Sequence, residues 1–173
     1  MEKQNIYQDI SARTGGEIYL GVVGPVRSGK STFIKRFMEL LVLPAIKDEN
    51  ERKRTMDELP QSGTGKIVMT TEPKFIPKEA AELPMEDMKI KIRLIDCVGF
   101  MIPGAGGNLE NGQERLVKTP WFDYEVPFTK AAEYGTRKVI RDHSTIGILV
   151  TADGSFAVSY THLRAHETSQ DLV

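Results

Sequence analysis

The segment Gly24-Pro25-Val26-Arg27-Ser28-Gly29-Lys30-Ser31 constrains this chain more than any other. It fits the pattern G-x-x-x-x-G-K-[ST], which is meaningful only where a strand feeds a glycine loop that opens a helix. Both flanks comply. Ile18-Tyr19-Leu20-Gly21-Val22-Val23 is a short apolar run of strand formers. Downstream, Phe33, Ile34, Phe37, Met38 and Leu41 recur at helical spacing, with Lys35, Arg36 and Glu39 between them.

Each position has a chemical reason. Gly24 permits a sharp turn off the strand, and Gly29 lets backbone N–H groups approach phosphate oxygens without a side chain in the way. Those N–H groups open a helix, whose unpaired donors and positive dipole end face the anion. Lys30 is placed to reach the β- and γ-phosphates, Ser31 to ligate Mg²⁺, and Thr32 to add a phosphate contact. Arg27 is either a further phosphate contact or a solvated side chain. The candidate nucleotide-contacting set is therefore Gly24, Pro25, Val26, Arg27, Ser28, Gly29, Lys30, Ser31 and Thr32.

A chain of 173 residues, 40% hydrophobic and 27% charged, suits one globular domain with a real core. Its 23 basic and 24 acidic residues nearly cancel, which argues against nucleic acid as a partner. A single cysteine, Cys97, excludes an internal disulfide framework and fits an intracellular, reducing setting. The polar N-terminus lacks an apolar signal core, and no stretch approaches the length of a transmembrane helix. Ile6 to Arg13 has the spacing of a short amphipathic helix that packs on its own domain.

A second half to the site lies at Asp96-Cys97-Val98-Gly99. Ile90, Ile92 and Leu94 alternate with Lys91 and Arg93, the period of a half-buried strand, and the run ends on this D-x-x-G. Alone the pattern is an ordinary turn; at a strand end about 65 residues after a phosphate loop, it marks the acid that holds Mg²⁺ and a glycine N–H for the γ-phosphate. Asp96 and Ser31 are thus the candidate metal-associated residues, and Gly99 joins the phosphate contacts.

Between the two motifs, Lys47 to Glu58 reads as a solvated, charged helix, and Gln61 to Gly65 as a loop. Ile67 to Pro73 reads as an antiparallel edge strand, with Pro73 and Pro77 limiting further pairing. Thr70 and Thr71 there are candidates to ligate Mg²⁺ or orient the attacking water, although threonine also favours strands for its own sake. Phe100 to Phe128 reads as a long Gly/Pro-rich loop ordered by nucleotide, with Trp121, Phe122 and Tyr124 packing into the core. Thr129 to His143 reads as a helix and Thr145 to Thr151 as a central parallel strand. The expected fold is a three-layer α/β domain with a mostly parallel sheet and one antiparallel edge strand from the sensor segment.

The full set of segments closely resembles the nucleotide-binding domain of the stage IV sporulation protein A family, morphogenetic ATPases of bacterial endospore coats. The resemblance rests on Arg13 to Gly24 running into the phosphate loop, Asp57-Glu58-Leu59-Pro60-Gln61-Ser62, Met69 to Phe75, Arg93 to Gly99, Thr119-Pro120-Trp121 and Gly135 to Ile140. It covers residues 1 to 156 and implies a P-loop fold of the translation-factor GTPase type. It further implies ATP and Mg²⁺ as cofactors, with hydrolysis driving self-polymerisation into a coat basement layer. That layer lies in the mother-cell cytoplasm at the outer forespore surface. It is held to the membrane through a small amphipathic coat peptide and recruits other coat proteins. By position, Lys30, Thr70, Thr71 and Asp96 match the family's catalytic residues.

Beyond Ser155 the sequence departs from the family, and residues 157–173 read as a non-native tail on a partial domain of residues 1–156. No N/T-K-x-D segment to read a base is present, so the residues alone reach only a nucleoside triphosphate, and the resemblance supplies ATP. Phe100 stands where Ras-like proteins carry a water-orienting glutamine, which leaves Thr70 or Thr71 for that task. Arg115 and Arg137 are candidate charge-neutralising fingers. A GTPase-type switch and a non-hydrolysing structural coat subunit are the competing readings.

Overall fold

The computed structural model describes residues 14–60, 72–85, 88–102, 108–110 and 112–152. Thr70, Thr71, the segment from Ile6 to Arg13, the loop Gln61 to Gly65 and the tail 157–173 lie outside them. Four strands form the main sheet: β1 (Glu17–Val23), β2 (Lys74–Met85), β3 (Met88–Asp96) and β8 (Ile146–Leu149), in the order β2-β3-β1-β8. β1 is parallel to β3 and to β8, while β2 is antiparallel to β3. The sheet is therefore mostly parallel with an antiparallel edge.

Helices cover both faces. α1 (Lys30–Phe37), continued by a π-helical turn over Met38–Val42, sends Ile34, Met38 and Val42 against Ile18, Leu20, Val22, Ile92 and Leu94. Each such side chain contributes roughly 1.5–3 kcal/mol by leaving water. α3 (Phe128–Lys138) and its π-helical extension Val139–His143 lie on the other face, where Val139 meets Val23, Ile95 and Cys97. Between them in sequence, α2 (Glu49–Asp57) buries only Thr55 and is capped by Asp48, whose side chain accepts from the Glu51 amide at 2.7 Å. The charged helix is a solvated one, as its sequence requires.

Three expectations need correction. The described antiparallel edge strand is Lys74–Met85, which passes through Pro77 where pairing was expected to stop; Ile67 to Thr71 of the expected strand lie outside the described residues. Register with β3 breaks between Ile76 and Ala81, so the proline sits where no ladder hydrogen bond is required of it. The region after Phe100 is not one long loop. It contains the hairpins β4 (Leu109–Glu110) with β5 (Gln113–Glu114), and β6 (Leu116–Thr119) with β7 (Phe122–Pro127). Trp121 and Phe122 stack on Tyr134 of α3 at 5.4 and 5.1 Å, but Tyr124 is 61% exposed and is no core residue. Finally, β8 is an edge strand of the described sheet rather than a central one, and Ile146 is 40% exposed.

Candidate functional site

β1 and β3 run side by side and end together, so the loops that leave them meet. Pro25 forms a parallel bridge to Phe100; the Val26 amide donates to the Phe100 carbonyl at 2.9 Å and the Phe100 amide to the Gly24 carbonyl at 3.2 Å. This lashes the glycine loop to the D-x-x-G segment. Phe100, only 1% exposed, is a structural anchor and not a group that handles water.

α1 opens on Gly29, whose φ of 95° is the left-handed region that suits glycine. No side chain caps this helix and its first turn carries no acid, so its leading N–H groups have no competing anion of their own among the described residues. Lys30, the next residue, is buried at 4% exposure and donates to the carbonyls of Pro25 at 2.6 Å and Gly24 at 3.3 Å. Gly99 packs directly on it, since a side chain at that position would collide with Lys30 Nζ and the Gly24 carbonyl. Burial lowers the Lys30 ammonium's pKa, opposed by the neighbouring Cys97 and Asp96.

Ser31 donates from its hydroxyl to Asp96 Oδ2 at 2.8 Å, across 65 residues of sequence. Asp96 Oδ1 and Ser28 Oγ are both buried and have no hydrogen-bond partner among the described residues. Burial raises the Asp96 carboxyl, and the Ser31 hydrogen bond and Lys30 pull it back. A desolvated carboxylate oxygen beside a serine hydroxyl is a donor set for a hard divalent cation such as Mg²⁺. The residues therefore fit a magnesium-bound phosphate: two oxygen ligands, one buried ammonium and a helix opening converge.

The expected site residues divide as follows. Gly24, Pro25, Val26, Ser28, Gly29, Lys30, Ser31, Asp96 and Gly99 belong to the two joined loops and the helix they open. Arg27 sits in the loop at a φ of 65° with its side chain exposed, and Thr32 is exposed on α1. Arg115 lies over the Phe128 ring at 4.8 Å, and Arg137 falls in the last turn of α3. Residue-by-residue reading passed over Cys97 and Thr136, which stand behind the lysine. Burial raises the Cys97 thiol, which donates to the Val22 carbonyl at 3.4 Å and lies 4.0 Å from the Thr136 hydroxyl. Only the position of Cys97 inside D-x-x-G could have drawn notice to it.

Fold and site define an α/β protein whose mostly parallel sheet delivers an anion-accepting loop and a carboxylate to one spot. The chain belongs to the stage IV sporulation protein A family: the model of that protein's ATPase domain matches residues 1–167. Stage IV sporulation protein A of Bacillus subtilis (strain 168) is 57% identical over 156 residues, 90% of this chain and 32% of that relative. The Bacillus anthracis protein is 54% identical over the same shares, and that of Clostridioides difficile (strain 630) is 59% identical over 87% of this chain and 31% of its own. The chain thus spans about a third of the length of the curated relatives it matches. No solved structure matches it. Among the described residues, no helix is long and apolar enough to cross a membrane.

Proposed function

We propose that this chain carries the nucleotide half of a Mg²⁺-dependent ATPase, a P-loop domain of the translation-factor GTPase type whose hydrolysis drives self-assembly of a spore-coat basement layer. The observation that carries the reading is the Ser31–Asp96 hydrogen bond beside buried Lys30, because it joins two motifs distant in sequence at one charged, desolvated point. The family's ATPase-domain description supports ATP over GTP.

In this mechanism Ser31 and Asp96 are the residues that would hold Mg²⁺, which would supply neutralisation of the phosphate charge. Lys30 exchanges its two carbonyl acceptors for phosphate oxygens, a charge-assisted bond that is stronger than the neutral pair it leaves. The α1 amides hold the same phosphates, and the Gly99 amide adds a donor for the γ-phosphate. Thr70 and Thr71 position the attacking water for in-line displacement. Assembly partners are further copies of the protein, a small amphipathic membrane-bound peptide and other coat proteins. The location is the mother-cell side of the forespore membrane.

The test is nucleotide turnover and sedimentation of polymer by a full-length relative, with ATP or GTP, wild type against Lys30→Ala. ATP-selective hydrolysis that falls by about 10²–10³-fold in the variant, as expected for loss of one preorganised charge-stabilising donor, supports the reading. Equal turnover of GTP would move it to the switch class, and unchanged hydrolysis in the variant would remove Lys30 from the mechanism.

A further inference from the structure

Two of the proposed phosphate donors have acceptors supplied by the protein itself. Lys30 Nζ bonds the Pro25 and Gly24 carbonyls at 2.6 and 3.3 Å. The buried Gly99 amide finds no backbone acceptor among the described residues and is turned instead on the sulfur of Cys97, two residues before it. Only glycine can sit there: its φ is 89°, and a Cβ would collide with Lys30 Nζ and the Gly24 carbonyl. Cys97, Gly99 and Lys30 therefore form one tightly packed group.

The thiol has one proton, and its neighbours decide where it points. The Val22 carbonyl accepts it at 3.4 Å. The Thr136 hydroxyl lies 4.0 Å from the sulfur, and its own proton goes to the Ala132 carbonyl at 2.9 Å, so it offers Cys97 only a lone pair. Both neighbours on that side are acceptors. The S–H thus faces β1 and α3, and a sulfur lone pair is left for the Gly99 amide. Water does not compete, because Cys97 is 5% exposed and Thr136 2%. Sulfur is a weak acceptor, so an anionic phosphate oxygen takes this amide over readily.

We propose that Cys97 is a positioning residue for the third phosphate: its sulfur holds the Gly99 amide until a γ-phosphate claims it, and so sets the preference for triphosphate over diphosphate. This rests on the reading of the two joined loops as a nucleoside-triphosphate site. A diphosphate leaves the amide on the sulfur, whereas a triphosphate must exchange one bond for the other. Removing the acceptor removes the cost of that exchange, and a stronger acceptor raises it. The two kinds of substitution at Cys97 therefore act in opposite directions.

The experiment measures, by calorimetry, the affinities of the 173-residue chain for ADP and for the non-hydrolysable ATP analogue adenylyl imidodiphosphate, both with Mg²⁺. Cys97→Ala should raise the preference for the triphosphate analogue by about two- to tenfold, the worth of one hydrogen bond, with ADP affinity unchanged. Cys97→Ser, which presents a stronger acceptor, should lower that preference. A cysteine that only fills space would weaken both nucleotides together or move the preference the same way in both variants, and either result overturns the proposal. NMR of the unaltered chain needs no variant to fold: the Gly99 amide and Cys97 Cβ resonances should move together, and further with the analogue than with ADP. A Cys97 Cβ that does not follow Gly99 would equally overturn it. If the unaltered chain binds neither nucleotide, the functional reading fails and this inference with it; if it binds both and neither variant alters the preference, this inference alone fails.

Discussion

On the α1 face of the sheet, Ile18, Leu20, Val22, Ile92 and Leu94 form one apolar layer with Ile34, Met38 and Val42. On the α3 face, Val23, Ile95 and Val139 share the surface with Cys97 and the partly buried Tyr19 and Phe75, and the layer opens into a cleft lined in part by Arg93. The same strands supply both faces by alternation, so the difference comes from every second residue. One face concentrates burial and ends at the candidate phosphate site; the other gives up apolar area to hold polar groups. The sheet thus carries a continuous apolar layer on one side and a smaller, more polar one on the other.

The sharpest way to break this contrast is to carve the apolar face. Leu94 is fully buried, and Leu94→Ala should cost about 2–5 kcal/mol in denaturant unfolding. A cost below 1 kcal/mol would mean that the layer can collapse around the gap. On the opposite face the backbone itself is the tight spot. A methyl group at Gly21 would run into the Ser144 hydroxyl and Val139, so Gly21→Ala should cost about 1–3 kcal/mol. Adding Ser144→Ala should recover part of that loss, and strict additivity would refute the clash.

The buried charge at the head of the α1 face gives a pH-dependent effect. Burial raises the Asp96 carboxyl, so the folded chain binds this proton more tightly than the unfolded chain does. Stability of the ligand-free chain therefore falls as pH rises from the ordinary carboxylate range through the raised folded value, then levels. Asp96→Asn should flatten that decline while removing Mg²⁺-dependent nucleotide binding, a trade of stability against function. A variant that keeps the decline would place its origin in another group. The smallest effect belongs to the exposed Lys138–Asp142 pair: Asp142→Asn should leave the thermal midpoint unchanged within error.

The elements of the candidate site were legible because their geometry is local: a strand, a glycine loop and a helix occupy consecutive residues, and Asp96 ends an alternating strand. β2 went unread because Lys74 to Met85 mixes prolines and charges, and an edge strand needs burial on few of its residues. The hairpins after Phe100 escaped because strands of two to four residues, as at Leu109–Glu110 and Leu116–Thr119, are shorter than any readable period. Arg93 read as the solvent side of its strand. Only the arrival of Phe75 and His143 from distant segments turns it into the base of a cleft.

The bridge between Pro25 and Phe100 has a mechanical corollary. Both backbone groups of Phe100 are spoken for, and Met101 beyond it is buried at 8% exposure. The glycine loop and the carboxylate strand are thus clamped together by backbone hydrogen bonds on both sides of Phe100, so a displacement of either loop carries the other with it.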